Sequence, residues 1–201
     1  MKNIYIIRHG ETILNTQKDN KHRIMTQPHT SELNENGKNQ AIKTGKYFKK
    51  FREPIDLIIS SPTLRTKKTA ELIADEIGYK KENIVYDKNL IEIQLNEKYK
   101  QLTRHQFANL RNTDKDVANF FKFQERKLKI KTPIELNEFI IKYESEKTNN
   151  VYEDIDSINN RLNKVIETIK SLNYKNIYVE SEQEIFDILE MRYLEPQERN
   201  F

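Results

Sequence analysis

The side chains available for chemistry in this 201-residue chain are histidine, arginine, the carboxylates and the hydroxyls, because it contains no cysteine. That removes thiol nucleophiles, cysteine-ligated zinc and a disulfide framework. Histidine is scarce, at positions 9, 22, 29 and 105 only, and none follows residue 105. His9 has the most informative neighbours, in the run Arg8-His9-Gly10-Glu11-Thr12 with Asn15 three residues on. An imidazole serves as a nucleophile or a proton carrier, and a guanidinium grips an oxyanion with two parallel donors. His22 and His29 lie in a polar loop and His105 in a lysine-rich stretch, which reads as three solvated side chains rather than metal ligands. The four glycines (10, 37, 45 and 78) fit neither G-x-G-x-x-G nor G-x-x-x-x-G-K-[ST], so the usual dinucleotide and P-loop phosphate cradles are absent.

The elements that must position His9 follow from apolar periodicity. Ile4 to Ile7 is a short β-branched and aromatic run, and it reads as a buried strand that delivers Arg8, His9 and Gly10 at its C-terminal edge. A helix is predicted over 35–51, a second buried strand over Asp56–Ser60, a helix over Pro62–Ile77 closed by Gly78, and a third strand over Ile84–Tyr86. Apolar residues at 155, 158, 162, 165, 166, 169 and 172 give a helix, followed by a strand at Asn176–Val179 and a helix over Gln183–Leu189. Strands alternating with helices imply an α/β fold whose mostly parallel sheet is covered on both faces, with ligands beyond the carboxyl ends of its strands. The polar stretch between about 97 and 150 reads as a helical insert in one domain spanning 1–201.

With 36% hydrophobic residues the chain can build one core, and 33% charged residues point to a soluble protein. No apolar run approaches the length of a membrane span, and Arg8 and His9 interrupt the N-terminal apolar stretch early, so a cytoplasmic setting without membrane association is expected. The net charge of +4 is uneven: from Glu180 onward seven acidic residues face Arg192 and Arg199, a local −5 that leaves about +9 upstream. Nucleic acid is not an expected partner. The basic runs Lys49–Arg52 and Arg126–Lys131 read as solvated faces.

The run Arg8-His9-Gly10-Glu11-Thr12 after a hydrophobic strand, with Asn15, resembles the signature of the histidine phosphatase superfamily, the phosphoglycerate mutase-like fold. Leu33 to Ala41 resembles the family's helix entry, Ser60 to Glu71 its second phosphate-binding segment, and Leu90-Ile91-Glu92 the stretch that carries its proton donor. The resemblance implies a three-layer α/β sandwich and hydrolysis of a phosphomonoester without metal or cofactor, the substrate being a phosphorylated small molecule or a phosphoprotein. In that chemistry a neutral imidazole, His9, attacks phosphorus and splits hydrolysis into two displacements. Arg8 and Arg65 hold the equatorial oxygens, Gly10 lets the backbone approach the phosphate, Asn15 donates a hydrogen bond and Glu92 protonates the leaving alkoxide.

One expected feature is missing. The family places a second histidine just after its last strand, and aligning Asn176–Ser181 on that strand puts Glu182 there. A carboxylate and a phosphate dianion a few ångströms apart repel by about 1 kcal/mol in water and several times more in a drier pocket. Three resolutions are open: Glu182 is protonated and donates; it turns outward while His22 or His105 fills in; or the domain no longer binds phosphate well and serves as an interaction module. The acidic stretch from Glu180 adds to the third, because it lowers the potential beside the anion site.

Overall fold

The computed structural model describes residues 2–19, 21–51, 54–127, 150–182 and 185. Its packing divides the chain into two compact units, one of Met1–Thr16, Pro28–Ile93 and Asn159–Phe201, the other of Gln17–Gln27 and Gln94–Ile158.

The first unit is built on a four-stranded sheet. Its strands are β1 (Asn3–Arg8), β2 (Leu57–Ser60), β3 (Val85–Tyr86) and β4 (Asn176–Ser181), in the order β1-β4-β2-β3 with every neighbouring pair parallel. β4 lies at the centre, paired from Asn3↔Asn176 to Arg8↔Ser181 on one side and from Leu57↔Ile177 to Ser60↔Glu180 on the other. Because side chains alternate along a strand, Ile58 and Tyr178 share one face. There they pack with Ala41 and Phe48 of α2 (Glu35–Phe51), the helix after the short α1 (Ile13–Thr16), and with Ala70, Ile73 and Ala74 of α3 (Leu64–Ile77). Leu57, Ile59, Ile177 and Val179 are buried on the opposite face, and Leu162, Val165 and Ile169 form a buried stripe on the helix Ile155–Ser171. Burying each aliphatic side chain of this size contributes about 1.5–3 kcal/mol, so a sheet covered by helices on both faces is the stable arrangement. This is the layered α/β fold expected from the sequence. Lys2 donates from Nζ to the carbonyls of Ile169, Lys170 and Leu172, closing the end of that helix.

Most strand boundaries shift by one residue, and two larger differences from expectation have a local reason. The helix predicted from Pro62 begins at Leu64, because Thr63 at its N-cap position is extended (φ −67°, ψ 151°), while Gly78 closes the other end in the left-handed conformation (φ 75°). β4 runs two residues past Val179, because Glu180 and Ser181 stay in register with Ile7 and Arg8. Apart from the buried Ile185, the helix expected over Gln183–Leu189 lies outside the described residues.

The second unit has a core of its own, in which Leu95, Tyr99, Phe107, Val117, Phe120 and Val151 are buried together. Its described helices cover Glu97–Lys100, Arg104–Asn109 and Lys115–Lys127. The segment 17–27 joins it through backbone bonds of Met25 to Leu102 and of Arg104 to Arg23, a pairing that sequence periodicity does not signal. Residues 128–149 of the expected insert lie outside the described residues. Among the described residues no helix is long and apolar enough to cross a membrane.

Candidate active site

β1 ends where the sequence puts the chemistry. The His9 amide donates to the Ser181 carbonyl at 3.3 Å, which sets His9 at the carboxyl edge of the sheet beside the end of β4. Gly10 is required here by a close backbone approach: a Cβ on it would lie 2.4 Å from the Gly37 carbonyl oxygen, near the start of α2. The sequence assigned this glycine to phosphate approach, whereas its neighbour in the structure is a helix. The Gly10 amide donates to Thr69 Oγ1 at 3.1 Å, and that hydroxyl donates to the Arg65 carbonyl at 2.8 Å. Thr69 therefore ties the His9 loop to the first turn of α3.

Arg65, Glu182 and His9 come together in the interior, with only 1%, 1% and 7% of their surfaces exposed. Arg65 donates from Nε to Glu182 Oε2 at 2.9 Å and from Nη2 to Oε1 at 2.7 Å, a two-pronged grip. Its third nitrogen, Nη1, donates to the Pro28 carbonyl at 2.9 Å. Thr63 donates its hydroxyl to Glu182 Oε1 at 3.0 Å, and His9 Nε2 stands 3.1 Å from Oε2. His9 Nδ1 lies 2.7 Å from the carbonyl oxygen of Gly10. Both ring nitrogens thus face acceptors, so this hydrogen-bond pattern assigns a proton to each.

This geometry decides among the resolutions open for Glu182. The side chain points inward, which corrects the outward-turned alternative, and His22 and His105 are exposed. Burial alone would push the Glu182 carboxyl up, but the hydrogen bond from His9 and the Arg65 charge outweigh it and hold the group below its ordinary value. It is therefore a carboxylate, not a protonated donor. Glu180 behaves oppositely: full burial, reinforced by the Glu182 charge, pushes its carboxyl well above the ordinary value, and Tyr178 donates its hydroxyl to Glu180 Oε2. The first two members of the acidic stretch are thus a buried carboxyl group pushed toward its protonated form and a paired carboxylate, which weakens the negative potential expected there.

The other residues singled out in the sequence are not part of this cluster. Arg8 is exposed at the end of β1 and has no ion-pair partner among the described residues. Asn15 Oδ1 accepts from the Thr12 amide at 3.0 Å and the Thr12 hydroxyl at 2.9 Å, which leaves its amide nitrogen to donate elsewhere. Glu92 is half-buried and Oε1 accepts from the Ile93 amide at 3.1 Å. Its segment is held at the sheet's edge by Arg161, which donates to the Asn89 and Ile91 carbonyls at 2.5 and 2.7 Å. Thr63 and Thr69 are the site residues that sequence reasoning missed. The available signal was a hydroxyl at the cap position of a helix opening on Ser60-Ser61-Pro62.

The chain is similar to known proteins in both sequence and fold. The profile of the histidine phosphatase superfamily (branch 1) matches residues 4–138. Over 95 residues the chain is 36% identical to a protein of Erwinia tasmaniensis named probable phosphoglycerate mutase GpmB, covering 47% of this chain and 40% of that protein. It is 37% identical over the same length, with the same coverage, to the protein of that name from Salmonella choleraesuis. The chain thus spans about two fifths of the length of the curated relatives it matches. In fold it is similar to the alpha-ribazole phosphatase of Shigella flexneri (TM-score 0.62, 18% identity, 94% of this chain and 78% of that one). It is likewise similar to a mycobacterial glucosyl-3-phosphoglycerate phosphatase (TM-score 0.64, 16% identity, 94% and 78%).

Proposed function

Because the chain belongs to the histidine phosphatase superfamily, branch 1, we propose that it is a phosphomonoester hydrolase acting through a phosphohistidine at His9. The observation that carries this reading is the convergence of His9 Nε2 and the Arg65 fork on a single anionic group at the carboxyl edge of the sheet. In this reading Nε2 attacks phosphorus, the ester P–O bond breaks, and Glu92 gives its proton to the leaving alkoxide. Water then attacks the phosphohistidine, releasing inorganic phosphate and restoring the imidazole. Arg65 neutralises the equatorial oxygens, joined by Arg8 at the end of β1 and by Asn15 of the short helix Ile13–Thr16. The Gly10 carbonyl fixes the proton on Nδ1, which aims Nε2 at the substrate. The substrate is a phosphorylated small molecule or a phosphoprotein.

A second reading is favoured by the Glu182 carboxylate, which holds both His9 and Arg65. In it the fold is kept for partner binding and hydrolysis is impaired. The two readings separate on one experiment. Incubating the full chain with a 32P-labelled aryl phosphate and quenching in alkali is expected to leave label on the wild type and none on His9→Ala. An unlabelled and inactive wild type contradicts the hydrolase and supports the impaired module.

A further inference from the structure

We infer that His9, Thr63 and Arg65 form a carboxylate clamp that the chain fills with its own Glu182, and that a phosphomonoester enters only by evicting that side chain. The inference deepens the phosphohistidine reading, and rests on it for the chemistry after entry.

The coordination of Glu182 is complete. Oε1 receives Arg65 Nη2 and Thr63 Oγ1, and Oε2 receives Arg65 Nε and His9 Nε2, two donors to each oxygen. A carboxylate offers about four lone-pair sites, so this group has no acceptor capacity left to satisfy. The Arg65 fork also matches a planar carboxylate. Its remaining nitrogen is spent on the Pro28 carbonyl, so it does not reach for the third terminal oxygen a phosphoryl group brings.

Occupancy also disarms the nucleophile. With the Gly10 carbonyl on Nδ1 and the carboxylate on Nε2, the lone pair that would attack phosphorus carries a proton directed at Glu182. Departure of the carboxylate removes the charge that holds that proton, which passes to water and leaves the Nε2 lone pair free to attack phosphorus.

Entry is therefore an exchange of anions. Arg65 is 1% exposed, and losing its counter-ion without replacement would leave a buried bare charge. Glu182 lies immediately past β4, outside the strand ladder, so its departure breaks no sheet pairing. Its other acidic neighbour, Glu180, accepts the Tyr178 hydroxyl on Oε2 and makes no ion pair with Arg65 among the described residues, its Oε1 being buried without a hydrogen-bond partner.

The test titrates inorganic phosphate and sodium acetate into the full-length wild type, E182A and E182Q by calorimetry, and follows thermal unfolding with each anion. E182A is expected to bind phosphate at least tenfold more tightly than wild type, and E182Q to move in the same direction. E182A carries an unpaired Arg65 and is expected to melt early in anion-free buffer. Acetate should raise its melting temperature while leaving the wild type unchanged, a response that a merely misfolded variant does not give. Equal phosphate affinity in all three proteins, or no stabilisation of E182A by either anion, overturns the clamp. Tight phosphate binding by E182A with no phosphoenzyme in either protein keeps the clamp and removes the hydrolase. Phosphoenzyme in the wild type with equal phosphate affinities keeps the hydrolase and removes the clamp.

Discussion

Replacing Arg65 with methionine should destabilise the folded chain by about 3–5 kcal/mol, the cost of breaking a buried ion pair from one side. The side chain is 1% exposed and all three of its nitrogens are engaged, two on Glu182 and one on Pro28. Methionine fills much of the volume but leaves a carboxylate facing only Thr63 and His9. The pH dependence has a definite sign. In the wild type Glu182 is held below its ordinary value, so its pairing stabilises the fold above the ordinary carboxylate range and that contribution is lost as pH falls through the lowered value. In the variant the burial that otherwise raises the group is no longer outweighed by arginine, so Glu182 takes up a proton more readily and its cost falls in acid. Urea unfolding at pH 7 and pH 4 should show the gap between the two proteins narrowing at pH 4. A deficit within experimental error of zero at pH 7 would mean that the pair contributes nothing.

Gly10→Ala should cost about 3 kcal/mol, at the upper end of what overpacking usually takes, and should abolish labelling of His9. The added Cβ meets backbone on every side that matters: 2.4 Å to the Gly37 oxygen, 2.8 Å to its carbonyl carbon and 3.0 Å to its Cα. No flexible side chain can yield, so either the start of α2 or the His9 loop must move. The loop is also pinned by Thr69 through the Gly10 amide and by Ser181 through the His9 amide. A shift there misaligns Nε2, whose distance to the anion governs phosphoryl transfer. Denaturant midpoints combined with phosphoenzyme labelling check both halves. A variant with wild-type stability and labelling would show that the loop tolerates the methyl group.

Much of this is legible in the sequence, for identifiable reasons. Ile4–Ile7, Asp56–Ser60 and Asn176–Val179 are short apolar runs ended by polar residues, and the burial of β2 and β4 on both faces is what a central parallel strand requires. α2 and the helix Ile155–Ser171 follow from periodicity because each has one buried side. His9 and Arg65 stand out because a motif records residue types at fixed spacing. The direction of Glu182 is not legible, because it depends on partners at positions 63 and 65, more than a hundred residues away in the chain. Repulsion from phosphate is the effect visible in sequence, and attraction to Arg65 in the absence of phosphate is not. The upward shift of Glu180 is hidden for a related reason: a run of acidic letters reads as negative charge, whereas full burial pushes this carboxyl well above its ordinary value. Thr69 and the segment 17–27 act through backbone partners, which leave no pattern in side-chain spacing.

The central claim is that one position serves both the Glu182 carboxylate and a phosphoryl group. A crystal structure of the full chain grown with saturating orthovanadate tests it most directly. The expected result is vanadate within about 3 Å of His9 Nε2 and Arg65 Nη2, hydrogen-bond range for these donors, with the Glu182 carboxylate withdrawn from both. Vanadate bound elsewhere, with Glu182 still between His9 and Arg65, would contradict it.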